Sequence, residues 1–359
     1  MTDDLTNRRL RAGKLPPDLL ANFLEDLGAP EKRVLLGPAV GEDAAFISFG
    51  STTLIAKSDP ITFATDRIGW YAIQVNANDI AASGGVPKWF LATLLLPENE
   101  PASTAKEIFK QLQQAAEELG ITLIGGHTEI TVGLPRPIIA GTMLGEAAPS
   151  ETVSTSGATP GDDVILTVGI AIEGTAIIAR ESKSRLIDAG LSEAEIRNAA
   201  GLLDSPGISV VRAARIAATT GQVTAMHDPT EGGLAGAIEE MALASNTGIT
   251  VDADRVNILP ETRRICEALD LDPWGLISSG ALLITSRPGG TQNIVTALSD
   301  ARIPANVIGT VTEFDPGSDT GPDTEKRQGE RLQRIVSGIT GPLPRFDRDE
   351  IARLYSPDN

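Results

Sequence analysis

Acids and hydroxyls recur in four short polar segments of this 359-residue chain, each beside an apolar run. They are Gly41-Glu42-Asp43, Lys57-Ser58-Asp59, Gly125-Gly126-His127-Thr128-Glu129 and His227-Asp228-Pro229-Thr230-Glu231-Gly232-Gly233; a helical pattern adds Asn78 and Asp79. Oxygen donors of this kind suit Mg2+, which prefers carboxylates, water and substrate phosphates. Paired glycines let backbone N–H groups approach phosphate oxygens with no Cβ in the way. Together these features describe a site that holds a triphosphate through divalent cations, which would also spread charge during phosphoryl transfer. Each has an ordinary reading too, since a lone Asp at a strand-to-helix turn is usually a cap and Gly-Gly is often a turn. Only the ordered set points to chemistry.

The elements that must position these residues follow from periodicity. Residues 16–28 read as a short helix ending at Gly28, and two strands follow, the second closing on Lys57-Ser58-Asp59. A helix over 69–83 carries Trp70, Ile73, Ala77, Ile80 and Ala81 on one arc, with Asn76, Asp79 and Ser83 on an adjacent polar line. After a strand at 86–97, Ser103 or Thr104 is expected to cap a helix with an apolar stripe through Ile108, Leu112, Ala115, Ala116 and Leu119. Residues 121–130 then read as a strand and turn, and 136–146 as another strand. The segment 147–163 has no apolar periodicity and is rich in Ser, Thr, Pro and Gly, so it marks a boundary. Strands and helices resume beyond it, with His227–Gly233 leading into a helix and 313–330 expected to be a mobile loop.

Composition narrows the classes. The chain is too long for one ordinary core, and alternating strands and helices give an α/β or α+β class in two domains. A net charge of −18 repels phosphate backbones, which excludes a nucleic-acid surface. The single cysteine, Cys266, rules out an intramolecular disulfide and a cysteine zinc cluster, and its apolar helical setting suggests a buried thiol. No run is long and apolar enough to span a bilayer, and the N-terminal segment lacks a secretory apolar stretch, so no membrane role and a cytoplasmic location are expected.

The segments GEDAAF, KSD, NANDIAASGGVPKWFLATLLLP, LIGGHTEI, TPGDDVILTVGIAIEG and DPTEGGLAGAIEEMA, in this order over roughly residues 35–315, resemble the superfamily of aminoimidazole ribonucleotide synthetase, thiamine-monophosphate kinase, selenophosphate synthetase and HypE. The resemblance implies an N-terminal α/β domain forming a central β-barrel in a homodimer, and a C-terminal α+β domain with a mixed sheet. Boundaries at 1–158, 159–345 and a tail at 346–359 are expected. It also implies ATP and Mg2+ between the domains. Carried over motif by motif, Asp43, Asp59, Asp79, Asp228 and Glu231 are expected metal ligands. Ser58, Asn78, Gly125, Gly126, Thr128, Thr230, Gly232 and Gly233 are expected to contact the nucleotide. His127, Lys57 and Glu129 are the candidates for catalytic contact with phosphate or substrate.

Departures from the family pattern sharpen the picture. His127 stands where the kinases have a carboxylate; it either contacts phosphate or substrate or simply bonds within a turn, and Glu129 would restore the charge. Lys57 replaces a small hydroxyl residue, so its ammonium either takes the place of a metal ion, holds a phosphate or snorkels at the surface. Nothing before residue 57 resembles the reactive cysteine or selenocysteine motif of selenophosphate synthetase. No cysteine follows Cys266, whereas HypE carries its substrate on a C-terminal one. The resemblance thus implies a HypE-like ATP-dependent enzyme that activates an oxygen of a small-molecule or protein-bound acceptor. A kinase like that for thiamine monophosphate, or a nucleotide-binding scaffold beside an active relative, are the alternatives.

Overall fold

Six strands, β1 (Val34–Leu36), β2 (Ala45–Phe49), β3 (Thr52–Ile61), β4 (Val86–Pro97), β5 (Thr122–Thr131) and β6 (Ile138–Ala147), form the first sheet in the order β1-β2-β3-β6-β4-β5. The computed structural model describes residues 14–27, 30–62, 66–314 and 331–355. All pairings in this sheet are antiparallel except β4 with β5, which run parallel across the crossover helix that joins them. A short helix, α1 (Pro17–Glu25), precedes the sheet; α2 (Ile68–Ala82) and α3 (Ala102–Leu119) pack together, α2 against β3 and β6 and α3 against β5.

Side chains alternate as a one-sided sheet demands. Ile55, Ile139 and Met143 are buried in the same core as Ile73 and Ile80 of α2, while Leu54, Ala56, Leu91, Leu95 and Leu144 on the opposite face are half-buried. Gly141 and Gly145 let α2 lie directly on β6. A Cβ at Gly145 would stand 2.2 Å from Ile80 Cγ2, and one at Gly141 would stand 2.6 Å from Asn76 Nδ2.

The second sheet has seven strands in the order β13-β12-β9-β11-β7-β10-β8, namely β7 (Asp163–Thr167), β8 (Val223–His227), β9 (Gly248–Asp252), β10 (Leu283–Ser286), β11 (Ala305–Thr312), β12 (Leu332–Val336) and β13 (Ile339–Pro342). Only β9 and β12 pair in parallel. Its helices are α4 (Ile172–Glu181), α5 (Lys183–Asp188), α6 (Glu193–Gly201), α7 (Val211–Thr219), α8 (Gly233–Ser245), α9 (Pro260–Leu269) and α10 (Thr291–Asp300). Residues 346–355 fold back on this domain, where Ile351 is buried and the Phe346 ring lies over Gly275. Among the described residues no helix is long and apolar enough to cross a membrane. Beyond Phe314, the segment read as a mobile loop at 313–330 lies outside the described residues, as does the N-terminal stretch before Lys14.

Three local expectations are corrected. Lys57-Ser58-Asp59 sits inside β3 rather than at its end, because register with β6 continues to Ile61. Gly125-Gly126 is not a turn but part of a bulge within β5: Phe90 pairs with Leu123 and Leu91 with Gly125, which leaves Ile124 as the extra residue. Helix α3 starts one residue after Pro101, and neither Ser103 nor Thr104 caps it; Thr104 Oγ1 instead donates to Glu100 Oε1 at 2.7 Å.

Helix α2 also differs from its amphipathic reading. Asn76, Asn78, Asp79 and Ser83 are all buried, because the helix lies between the first sheet and α7 and β8 of the second domain. The domains therefore share one apolar core, in which Tyr71 and Ile73 join Ile172, Ile177 and Ile178. Asn78 locks the seam: its Nδ2 donates to Ile208 O at 2.8 Å and its Oδ1 accepts from the Val210 N–H at 2.8 Å. Asn78→Ala leaves both backbone groups buried and unpaired. A loss of about 2–4 kcal/mol is expected, read as a lower thermal midpoint against Asn78→Asp and wild type.

Candidate functional site

A cavity of about 510 Å3 opens between the two domains, lined by Lys57, Asp59, Asp79, Glu173, His227 and Glu231 among others. Strand alternation puts Lys57 and Asp59, two residues apart, on the face of β3 that meets α2. Their position is fixed by a reciprocal pair: the Asp59 N–H donates to Asn76 Oδ1 at 3.0 Å, and Asn76 Nδ2 donates to Asp59 O at 3.3 Å. Asp79, one helical turn beyond Asn76, then reaches the same space. Lys57 Nζ lies 3.2 Å from Asp79 Oδ1 and 3.5 Å from Asp59 Oδ2.

Asp43 arrives on the loop before β2. Gly41 there has φ +84°, and a Cβ on it would stand 2.4 Å from Glu240 O, so only glycine lets this loop ride on α8. The loop seats Asp43 against His227 at the end of β8. His227 Nδ1 is 2.7 Å from Asp43 Oδ1, and Nε2 is 2.9 Å from Glu240 Oε2. The Nε2 contact is a hydrogen bond and the Nδ1 contact a close ion pair outside hydrogen-bond geometry; a carboxylate near each nitrogen favours the doubly protonated cation. Burial pulls it down, but Asp43 and Glu240 outweigh that and raise it to about 10. Burial likewise opposes ionisation of Glu240, yet Lys14, 2.9 Å away, and His227 hold it well below the carboxylate range. Thr155 Oγ1 donates to Asp43 Oδ2 at 3.3 Å, and Glu42 accepts from the N–H groups of Thr155 and Ser156 at 3.1 Å each. The linker between the domains is thereby tied to the same loop.

Asp43, Asp79 and Asp228 each bring an oxygen into one group whose members lie within 4.8 Å of one another. Asp79 is 2% exposed and Asp228 1%, and Asp79 Oδ2 and both Asp228 oxygens have no hydrogen-bond partner. Burial is the main force raising both carboxyls far above their ordinary range, reinforced by the neighbouring acids and opposed by Lys57 at Asp79 and by His227 and then Lys57 at Asp228. Unpaired buried carboxylate oxygens are expensive unless a proton or a cation joins them. The all-oxygen donor set fits Mg2+ in type.

The cavity is also lined by Glu173, in the first turn of α4. It is 4% exposed, its Oε2 is unpartnered, and burial pushes its carboxyl up to about 8. Tyr71 of α2, whose buried hydroxyl is also unpartnered, is close enough to feel that charge.

The expected site residues therefore divide. Asp43, Asp59, Asp79, Asp228 and Lys57 converge, and Thr230 and Glu231 line the same cavity. Ser58 faces the opposite side of β3, its hydroxyl donating to Gly141 O at 2.8 Å. Asn78 is fully engaged at the domain seam. The Gly232 N–H donates to Asp349 Oδ2 at 2.8 Å, and Gly233 is required where a Cβ would meet Trp274 O at 2.5 Å. Gly125, Gly126, His127, Thr128 and Glu129 lie on exposed β5 at the sheet edge and do not line the cavity within this chain. There His127 Nε2 sits 3.4 Å from Glu129 Oε2. The sequence placed His227 in a polar segment without giving it a role, and it gave no signal for Glu240, Lys14 or Glu173. Of the two histidines, the one beside Gly-Gly drew attention, whereas the buried one carries the ion pairs.

Comparison with known proteins agrees with this architecture. The AIR synthase related protein N-terminal domain model matches residues 41–147, and the C-terminal domain model matches residues 159–318. A putative hydrogenase expression/formation protein of Methanocaldococcus jannaschii is 26% identical over 322 residues, covering 87% of this chain and 92% of that protein. Carbamoyl dehydratase HypE of Rhizobium leguminosarum bv. viciae is 26% identical over 265 residues, covering 72% and 73%. The crystal structure of hydrogenase maturation protein HypE in complex with ATP has the same fold, with a TM-score of 0.67 at 20% identity over 92% of this chain and 91% of that one.

Glu173 sets a pH signature for the cavity. Its folded value of about 8 lies above the ordinary 4.5, so the native state holds the proton longer than the unfolded chain. Stability present below pH 4.5 is then lost progressively up to about pH 8. Glu173→Gln removes this dependence. The variant is expected to melt higher than wild type at pH 8, by up to a few kcal/mol, and to match it at pH 4.5. Parallel melting curves at both pH values check it.

Proposed function

The chain belongs to the AIR synthase related family, and we propose that it is an ATP-dependent, HypE-like enzyme that binds ATP with Mg2+ in the interdomain cavity. The observation that carries this reading is the set of unpartnered, buried oxygens on Asp79, which lines the cavity beside Lys57, and on Asp228, which is grouped with Asp79 and Asp43 within 4.8 Å. Asp79 and Asp228 would hold the ion, with Asp43 and Asp59 completing the oxygen surroundings. Bound there, Mg2+ supplies positive charge that offsets the triphosphate and stabilises charge on the transferred phosphoryl group. The names of the relatives support the choice, since one is a carbamoyl dehydratase and one was crystallised with ATP.

The chain's own residues would supply positioning and preset electrostatics. The His227 cation fixes Asp43, and the Asn76 pair fixes Asp59, so the oxygens require little rearrangement when nucleotide enters. Glu173, which lines the same cavity, would meet the acceptor, a small molecule or a protein-borne group. A carboxyl that keeps its proton near neutrality donates a hydrogen bond to an acceptor oxygen, as a carboxylate cannot. Transfer of the γ-phosphoryl group to that oxygen makes it a leaving group, which serves a dehydration as well as a kinase reaction.

Strand β5 supports a homodimer. It is the edge strand of its sheet, and Leu123, Ile124, Ile130 and Val132 on or just after it are exposed, Ile130 at 63% and Val132 at 73%. An uncovered apolar edge strand is a template for pairing with a second chain. Such pairing would place His127 and Glu129 at the interface.

Two measurements test these readings. In titration calorimetry, wild type is expected to bind ATP with Mg2+ and to lose that binding in EDTA. Asp228→Asn should weaken it at least tenfold while melting no lower than wild type, because the replaced carboxylate is unpaired. Equal affinity with and without Mg2+ would remove the proposal. In light scattering, wild type is expected as a dimer and Ile130→Lys as a monomer with unchanged circular dichroism.

A further inference from the structure

The carboxylates of the cavity are not equivalent. Asp79 Oδ1 and Asp59 Oδ2 converge on Lys57 Nζ at 3.2 and 3.5 Å, from a helix and a strand respectively. Asp43 is engaged through both oxygens, by His227 and by Thr155. Asp79 Oδ2 and both oxygens of Asp228 are open. An ammonium between two carboxylates of separate elements supplies there the positive charge that a cation shared by the two would supply. It is attached to the chain by a four-carbon stem and is flanked by two carboxylates.

We propose that the Lys57 ammonium replaces one divalent ion of the site, so that the chain binds one ion fewer than it would with an uncharged residue at position 57. The inference rests on the ATP reading above for its nucleotide part and on the Lys57–Asp59–Asp79 geometry alone for its metal part. The geometry is specific. Lys57 and Asp59 share one face of β3 by strand alternation, and Asn76 clamps that segment to α2 one turn before Asp79. An ammonium at this place repels a second cation there, while Asp79 Oδ2 and Asp228 stay available to the one ion that binds. The lysine contributes a point charge with three donors, so a phosphate oxygen can approach it as it would approach a metal.

Mn2+ is the probe. Free Mn2+ measured by electron paramagnetic resonance gives the number bound per chain, with and without a non-hydrolysable ATP analogue. Lys57→Met, which keeps the stem and removes the charge, is expected to bind one Mn2+ more than wild type under both conditions. Its analogue affinity should fall about tenfold at limiting Mn2+ and recover at saturating Mn2+. Added Mn2+ should raise its thermal midpoint more than that of wild type, because Asp59 and Asp79 lose their resident partner. Lys57→Arg, which keeps the charge, should match the wild-type count. Equal Mn2+ counts in wild type and Lys57→Met overturn the inference even where the analogue binds. Failure of the analogue to bind wild type overturns the ATP reading, and the Mn2+-only counts still decide the role of Lys57. A Lys57→Met protein that does not fold even in Mn2+, beside a folded Lys57→Arg with an altered count, also overturns it.

Discussion

Mutual repulsion among buried carboxylates is the constraint around which this molecule is arranged. Two unit charges at the 4.8 Å limit that contains Asp43, Asp79 and Asp228 repel by about 3–4 kcal/mol at an effective dielectric of 20. Three such acids close together, with Asp59 and Glu240 beside them, would drive the domains apart without compensation. The chain supplies it unevenly. His227 and Lys14 neutralise the Asp43–Glu240 side, and Lys57 neutralises the Asp59–Asp79 contact. Asp228 is left with no hydrogen-bond partner on either oxygen, as is one oxygen of Asp79. The imbalance is local, and it faces the cavity.

Holding that imbalance in place requires rigid supports. Helix α2 carries Asp79 and is buried on every side, against the first sheet through Gly141 and Gly145 and against the second domain through Asn78. Its amide side chains do structural work on backbone groups, Asn76 on β3 and Asn78 on the segment 208–210. Asp43 depends on Gly41 to approach α8, and its carboxylate depends on His227 for orientation. Each acid therefore comes from a different element whose placement is fixed by packing or by a pair of hydrogen bonds, with little left to side-chain freedom. Such preorganisation is what an electrostatic site needs, since charge that must rearrange during the reaction stabilises it less.

How much of this was legible in the sequence follows from the range of the interactions involved. The apolar periods of α2, α3 and most strands are local, and they located Asp43, Asp59, Asp79 and Asp228 near element ends or faces. Strand alternation alone separates Ser58 from Lys57 and Asp59, so the outward aim of Ser58 was readable from spacing. The bulge at Gly125-Gly126 was not, because turn and bulge ask for the same residue; the parallel partner β4 decides between them, and a Cβ at Gly126 would stand 2.0 Å from Ala92 O. The polar line on α2 looked like a solvated face because nothing in residues 69–83 announces that α7 and β8 will cover it. His227 and Glu240 are thirteen positions apart and pair only because β8 runs into α8 through the tight turn at Gly232-Gly233.

The acids that destabilise the fold and those that stabilise it can be told apart on physical grounds. Glu195, on the surface, completes a capping box with Ser192 and bonds Arg264, and these contacts lower its carboxyl to about 2. Glu173 does the reverse: its ionised form is opposed by burial, no donor meets its Oε2, and an isosteric amide would sit there more comfortably. Asp228 belongs with Glu173. Side chains that lower stability where a neutral residue would raise it mark places where function sets the residue type, since stability and activity make competing demands on a cleft. Glu173 lines the interdomain cavity, and Asp228 stands beside the cavity-lining Asp43 and Asp79. A site that holds both an ion-hungry acid group and a proton-holding carboxyl is suited to join a polyanion to a neutral polar group, as a phosphoryl donor and its acceptor require.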